Sequence, residues 1–342
     1  MAFDSEHIIK QGISEPGFRA YSVGFDFQRY RDEELSEKLM DTIVDFAFGY
    51  HTGILKTYNR QKLKEAARAI YKIDSYNAVR KVYLEDGSEL FDCEITPEQK
   101  YLKRGEFGEM ILHLILRDFF SSTPLVSKIH FKDTDGGVVH GFDVVHIGKD
   151  PGDASKNTLY LGESKVYSRK DNKAGERGIE DLIGDIKAHF RTDFFLREIA
   201  LIGKKRDAYI NLSDYGDANT KEEYEGFLQQ KEYWFDAFAK VESGQKKLQE
   251  LFSSISIPLI CTYQSTIFDG VTDESSQGFI DGFERETAAL RAAFDTSLAK
   301  IADEAGQPPS TGLNIILILF PIPSKKQLIT KLHHKLNAQQ NA

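Results

Sequence analysis

Residues 158–167 read Thr-Leu-Tyr-Leu-Gly-Glu-Ser-Lys-Val-Tyr. Apolar, aromatic and β-branched residues dominate this run, which predicts a strand. Side chains two apart on a strand face the same way, about 7 Å from each other. Glu163 and Lys165 therefore share one face, Leu159 and Leu161 lead into it, and Ser164 points to the other. Two charges among apolar neighbours need a physical reason. One is a solvated cross-strand ion pair. Another is a catalytic pair beside a bound cation.

The residues upstream bear on that choice. Residues 138–147 predict a second strand, carrying Asp143 with Gly141 two residues before it. Thr134-Asp-Gly-Gly137 is a turn signal ahead of it. Residues 126–131 predict a strand before that turn. Short connections make the three strands an antiparallel meander. A long helix is expected from Pro97, well placed in a first turn, to about Phe120, where Ser121-Ser-Thr-Pro124 ends it. On this helix Glu106, Glu109, His113 and Arg117 recur at spacings of three and four, forming one polar stripe among Phe107, Met110, Ile111, Leu114 and Ile115. Acidic groups on so apolar a helix must be paired, solvated in a cleft or bound to a cation. Glu109 and Glu106 are both candidates, and Gly105 and Gly108 would permit close approach to the sheet.

If the two strands pair, Asp143 and Glu163 can bind one ion with Lys165 beside it. Mg²⁺ prefers oxygen ligands and keeps several waters; at a phosphodiester it polarises the phosphate and lowers the pKa of a bound water. An E-x-K alone says little, since Glu98-Gln-Lys100 is another, on a helix where the two side chains diverge. Acidic helix, acidic strand and E-x-K strand in that order carry the argument.

These residues resemble the PD-(D/E)xK nuclease superfamily, through the helix, Gly141-Phe-Asp143 and Leu161-Gly-Glu-Ser-Lys165. The resemblance implies a restriction-endonuclease-like α-β-β-β-α-β core. It implies Asp143 and Glu163 as ligands of Mg²⁺ or Mn²⁺, Lys165 as the catalytic lysine and Glu109 as a helical acid. Phe142 stands where the superfamily's name has proline. More narrowly, Gly105-Glu-Phe-Gly-Glu109, His140-Gly-Phe-Asp143 and Gly162-Glu-Ser-Lys165 are similar to the HamA family, nuclease subunits of Hachiman antiphage systems. That resemblance implies a HamB-like helicase partner that restrains cleavage, and DNA as the substrate.

The remaining chain sets bounds. Its 342 residues, 41% hydrophobic and 28% charged, supply one large core or two ordinary ones. Residues 1–95 are expected to form a mainly helical region, and 96–342 the nuclease-like domain with a helical insertion at about 203–253. Helices are expected at 32–50, 60–73, 175–202, 221–252 and 279–305. Strands are expected at 256–263 and 313–320, the latter stopped by Pro321, and both as parallel additions to the sheet. Ser324 is expected to cap a last helix, basic through Lys331, His333, His334 and Lys335. A net charge of -9 disfavours DNA binding by bulk charge and leaves room for a local basic groove or a partner that delivers DNA. Arg169, Lys170 and Lys173 after the third strand are candidate phosphate contacts. Cys93 and Cys261 fit neither a zinc spacing nor a disulfide framework. No apolar run reaches membrane-spanning length and no secretory signal is evident, so a cytoplasmic protein is expected. The absence of a Gly-rich phosphate loop argues against ATP hydrolysis by this chain. The acidic charge and the large helical additions leave a second reading open, a nuclease-like module that binds and regulates a helicase without cutting.

Overall fold

The computed structural model describes residues 5–49, 60–70, 105–127, 141–150, 152–169, 171–189, 192–203, 218–304 and 313–341. Cys93, Lys170 and the Glu98-Gln-Lys100 motif lie outside them. In chain order the elements are β1 (Ile9–Glu15), β2 (Phe18–Val23), β3 (Phe25–Asp26), β4 (Arg29–Tyr30), α1 (Asp32–Asp41), α2 (Ile43–Phe48), α3 (Arg60–Ile70) and α4 (Glu106–Phe119). Then come β5 (Thr123–Val126), β6 (Val144–Asp150), β7 (Asp153–Tyr167), α5 (Ala174–His189), α6 (Thr192–Gly203) and α7 (Ala218–Glu242). β8 (Ile255–Gln264), α8 (Gln277–Glu304), β9 (Asn314–Ile322) and α9 (Lys325–Asn341) complete the chain.

Among the described residues, seven strands form one mixed sheet in the order β1-β2-β9-β8-β7-β6-β5. β5, β6 and β7 are the antiparallel meander, and β8 and β9 join β7 in parallel, as the helices between them require. The fold is α/β, and the order α4-β5-β6-β7-α5 ahead of β8 follows the expected sequence of elements.

The pleat sorts the core into two layers. Leu159 and Leu161 of β7 and Leu259 and Cys261 of β8 pack with Leu182, Ile183 and Ile186 of α5. Tyr160, Ile260 and Ile318 turn the other way, onto α1, α2, α4 and α9. Cys261 is a buried free thiol, and Trp234 is buried beside Phe238, a packing role for both. Glycines let α4 approach β7. A Cβ on Gly108 would stand 2.5 Å from Val166 Cγ2, and one on Gly162 would stand 2.7 Å from both Leu112 Cδ2 and Val144 Cγ2. Gly108→Val is therefore expected to push α4 off the sheet and to cost about 1–3 kcal/mol in a denaturant melt.

Several elements differ from the sequence expectation, each for a visible cause. β5 begins ahead of the expected strand 126–131, of which 128–131 lie outside the described residues; Pro124 is accommodated because β5 is an edge. β6 starts after Asp143, and β6 and β7 run on past the ends of the expected strands, to Asp150 and back from Asp153. There Asp150 accepts hydrogen bonds from the Gly152 and Asp153 amides and closes the hairpin. β9 runs through Pro321, whose nitrogen faces the side where pairing with β2 has already ended at Leu319. The expected helix 221–252 stops at Glu242, where Gly244 adopts φ +71°. In the first thirty residues, which have no sustained period, β1 and β2 pair as a hairpin and β2 joins β9. The basic α9 lies on α1: Lys331 meets Asp32 at 2.9 Å and Lys335 meets Glu33 at 2.5 Å. Those lysines are engaged within the fold. Ser324 Oγ does accept from the Gln327 amide, as a cap should.

Candidate active site

Three elements bring the sequence candidates together. On β7, Glu163 is buried and Lys165 is half-buried. Asp143 sits one residue before β6, its amide donating to the Gly162 carbonyl at 2.9 Å. Val144 pairs with Gly162; carried one step on, that register sets Asp143 opposite Glu163. Asp143 Oδ2 accepts from both the amide and the hydroxyl of Ser164 at 2.8 Å. Ser164 thus anchors the carboxylate from the far side of the strand. Glu109, in the first turn of α4, is buried, where the helix N-terminus favours its charge.

The charges interact. Burial raises the Glu163 carboxyl well above its ordinary value; the nearby charges of Asp143 and Asp185 raise it further, Lys165 opposes them, and Glu109 adds to the rise. A solvated ion pair on an open sheet face is therefore not what β7 carries. Glu109, rather than Glu106, is the helix acid whose charge acts on Glu163.

Asp185, on α5, was not among the sequence candidates. Its Oδ2 lies 2.6 Å from Lys165 Nζ. Burial works against the lysine's charge, but the hydrogen bond and charge of Asp185, aided by Glu163 and Asp143, raise its pKa overall. One step along the same strand, the Tyr167 hydroxyl donates to Asp181, which also meets Arg177 at 3.0 Å. Two residues of strand and four of helix span nearly the same length, about 6–7 Å. Lys165 and Tyr167 thus meet Asp185 and Asp181 rung for rung. The i, i+4 spacing of two aspartates beside the apolar face of α5 was the available signal.

Other candidates fall elsewhere. Arg169 is paired with Asp171 at 2.9 Å, in an exposed loop with Lys173. His113 is a core histidine, and Arg117 is buried beside it.

The family model for HamA matches residues 2–336. The chain belongs to the HamA family. No curated protein matches it. The HamA match runs far beyond residues 105–167, in which the motifs lie, and takes in β1, β2 and the helices on both faces. Membership in HamA supports a role in antiphage defence. Among the described residues of this HamA chain, no helix is long and apolar enough to cross a membrane.

The donor set fits a hard cation. Asp143, Glu163 and Glu109 offer only oxygens, and the Glu163 carboxyl is raised by burial first and then by acidic neighbours, whose repulsion a cation would relieve. Among the described residues no three His, Cys, Asp or Glu side chains form a ready cage. Mg²⁺ needs none, since it is commonly held by one or two carboxylates with waters and substrate phosphate completing its shell.

Asp185→Asn is expected to lower the pKa of Lys165, because its strongest favourable partner loses its charge. The alkaline limb of the pH–rate profile should then move to lower pH, a shift measurable by initial cleavage rates across about pH 7–10.

Proposed function

We propose that this HamA-family chain is a metal-dependent deoxyribonuclease, the cutting component of an antiphage defence, controlled by a helicase partner. The observation that carries the reading is the burial of Glu163 among Asp143, Asp185, Lys165 and Glu109, on four converging elements, an environment that raises its carboxyl well above the ordinary value. Perturbed groups of this kind cluster at functional sites. On this reading the core is restriction-endonuclease-like, and the helical additions at the N-terminus and around 203–253 are surfaces for the partner.

Asp143 and Glu163 would hold Mg²⁺ or Mn²⁺, with Glu109 completing the acidic side. The ion, when bound, polarises the scissile phosphate and acidifies a coordinated water. The protein's own groups do the rest. Glu163 would ligate as the anion, a form that burial and its acidic neighbours disfavour and a cation would offset. Ser164 holds the Asp143 carboxylate through two hydrogen bonds, so that it needs little reordering. Lys165 presents a charged ammonium to the attacking water or to the negative charge growing on the phosphate oxygens. Asp185 keeps that ammonium protonated and in place. The net charge of -9 makes a DNA-binding helicase a sensible source of affinity.

The test is plasmid cleavage in Mg²⁺ and in EDTA, by the wild type and by Glu163→Ala, with and without a HamB-like helicase. Cleavage that needs both the metal and Glu163 supports the reading. Equal cleavage by Glu163→Ala overturns it.

One observation favours a second reading. Lys165 is tied to Asp185, and the carboxylates make no ready cage among the described residues. A nuclease-like module that regulates its helicase without cutting would tolerate that arrangement. Lys165→Ala would then keep both partner binding and phage protection.

A further inference from the structure

A buried polar chain runs behind the acidic cluster, from α2 through α4 to β6. Asp45 Oδ2 lies 3.1 Å from His113 Nε2, His113 Nδ1 lies 2.9 Å from His146 Nε2, and His146 Nδ1 lies 2.9 Å from Ser122 Oγ. Ser122 Oγ in turn donates to the Leu116 carbonyl at 2.8 Å. Arg117 reaches the same Asp45 oxygen at 3.2 Å and is held by Asp118 at 2.6 Å. All four side chains of the chain are at most 2% exposed.

Proton bookkeeping orders this chain. If the Ser122 hydroxyl donates to Leu116, then His146 Nδ1 must carry the proton it gives to Ser122. Neutral His146 then accepts on Nε2, so His113 must donate from Nδ1. In this order His113 also meets Asp45 through Nε2, so the chain runs unbroken from Asp45 to Ser122. The reverse order, with Ser122 donating to His146, makes one hydrogen bond fewer. Charge favours the first order as well. Burial, then the charges of His113 and Arg117, hold His146 well below the ordinary histidine value, so it is the neutral ring. Burial raises Asp45, but His113 and Arg117 outweigh it and keep the carboxyl below its ordinary value.

The two histidines sit where the acidic cluster begins. His113 lies one helical turn beyond Glu109 on α4. His146 lies three residues beyond Asp143. Both rings line a small cavity that Asp143 also lines. The ring-to-ring hydrogen bond is thus a direct tie between the element that carries Glu109 and the strand that Asp143 enters.

We propose that His113 and His146 are positioning residues for the metal centre, fixing the spacing of Glu109 and Asp143 through the Asp45–His113–His146–Ser122 chain. The proposal rests on the metal-site reading above. Partners behind metal ligands commonly matter this way, and their loss typically weakens metal binding by about 10- to 100-fold.

His113→Gln isolates the effect. A glutamine amide can still donate to Asp45 and hold α4 to α2, but offers His146 nothing. The experiment titrates the full chain with Mn²⁺ at neutral pH and reads free ion by electron paramagnetic resonance, with a thermal melt of each metal-free protein alongside. Wild type should bind and Glu163→Ala should not. His113→Gln should bind at least about 10-fold more weakly while melting within about 2 °C of wild type. Ser122→Ala, which removes only the far hydroxyl, should lose about fivefold and serves if His113→Gln does not fold. Wild-type affinity in both variants, with Glu163→Ala inert, overturns the positioning role and leaves the metal site standing. No binding by wild type overturns both.

Discussion

Lys165→Ala is expected to leave a folded protein that cleaves DNA about a thousandfold more slowly, or not at all, at saturating Mg²⁺. Lys165 is the cation whose charge opposes the acids around Glu163, and it faces the same way on β7. Its removal would strip the positive charge from the place where negative charge grows on the phosphate. The fold should survive, since Lys165 is only half-buried and loses one ion pair with Asp185. The loss should fall on the maximal rate and spare Mn²⁺ binding, because an ammonium does not ligate. Initial-rate measurements, with the Mn²⁺ titration as the control for an intact site, separate the two. A variant that cuts at the wild-type rate would remove Lys165 from the chemistry. One that has lost Mn²⁺ binding too would make it a structural prop of the cluster.

The double variant Lys165→Ala with Asp185→Asn tests the rung between β7 and α5. If Asp185 acts only through Lys165, it should change little in a protein already lacking the lysine. The two rate losses should then be far from additive, as expected of groups that work as a unit.

The candidate site was legible where one element carries its own signal. Glu163 and Lys165 stand out because charge interrupts an apolar strand at period two. Glu109 stands out because an acidic residue interrupts an apolar helix. Asp185 carried only the weak signal of its i, i+4 spacing from Asp181, because what places it at the cluster is the passage of α5 across β7, a tertiary fact. Asp45 was hidden similarly. In Ile43-Val-Asp-Phe-Ala-Phe48 it reads as a polar break in a short helix, and only the His113 and Arg117 opposite it explain a buried carboxylate there. The meander and the parallel strands β8 and β9 followed from hydrophobic runs and connection lengths. β1 escaped because most of it is exposed and polar, so the sheet, not its own pattern, makes it a strand. The polar tip of the β6–β7 hairpin escaped for the same reason. There cross-strand pairs such as Lys149 with Asn157, at 2.7 Å, replace apolar alternation.

Glu163→Gln is expected to abolish metal-dependent cleavage and, in EDTA, to stabilise the chain. Glutamine keeps the shape and the neutrality of a protonated glutamate but cannot ligate as an anion. The stability effect has a definite sign. In the folded state the carboxyl titrates well above its ordinary value of 4.5. Between that value and the raised one, the folded protein holds a proton that the unfolded chain has released. Wild-type stability therefore falls as pH rises through this window, and above it the full cost of an ionised, buried, acid-flanked carboxylate is present. The glutamine of the variant never ionises and escapes the cost. The melting temperatures of the two metal-free proteins should coincide near about pH 4 and separate as pH rises, by roughly 2–4 °C at pH 8. Mg²⁺ should reverse the order, since a ligand that binds only the folded wild type stabilises it by mass action. Melts at both ends of that pH range, each with EDTA or Mg²⁺, check every arm. A wild type more stable than Glu163→Gln at the alkaline end without metal would mean that Glu163 is satisfied as an anion by the fold itself. Its burial among Asp143, Asp185 and Glu109 would then be structural. The predicted result would mean instead that folding stability is given up at this position, a cost that only a bound cation removes.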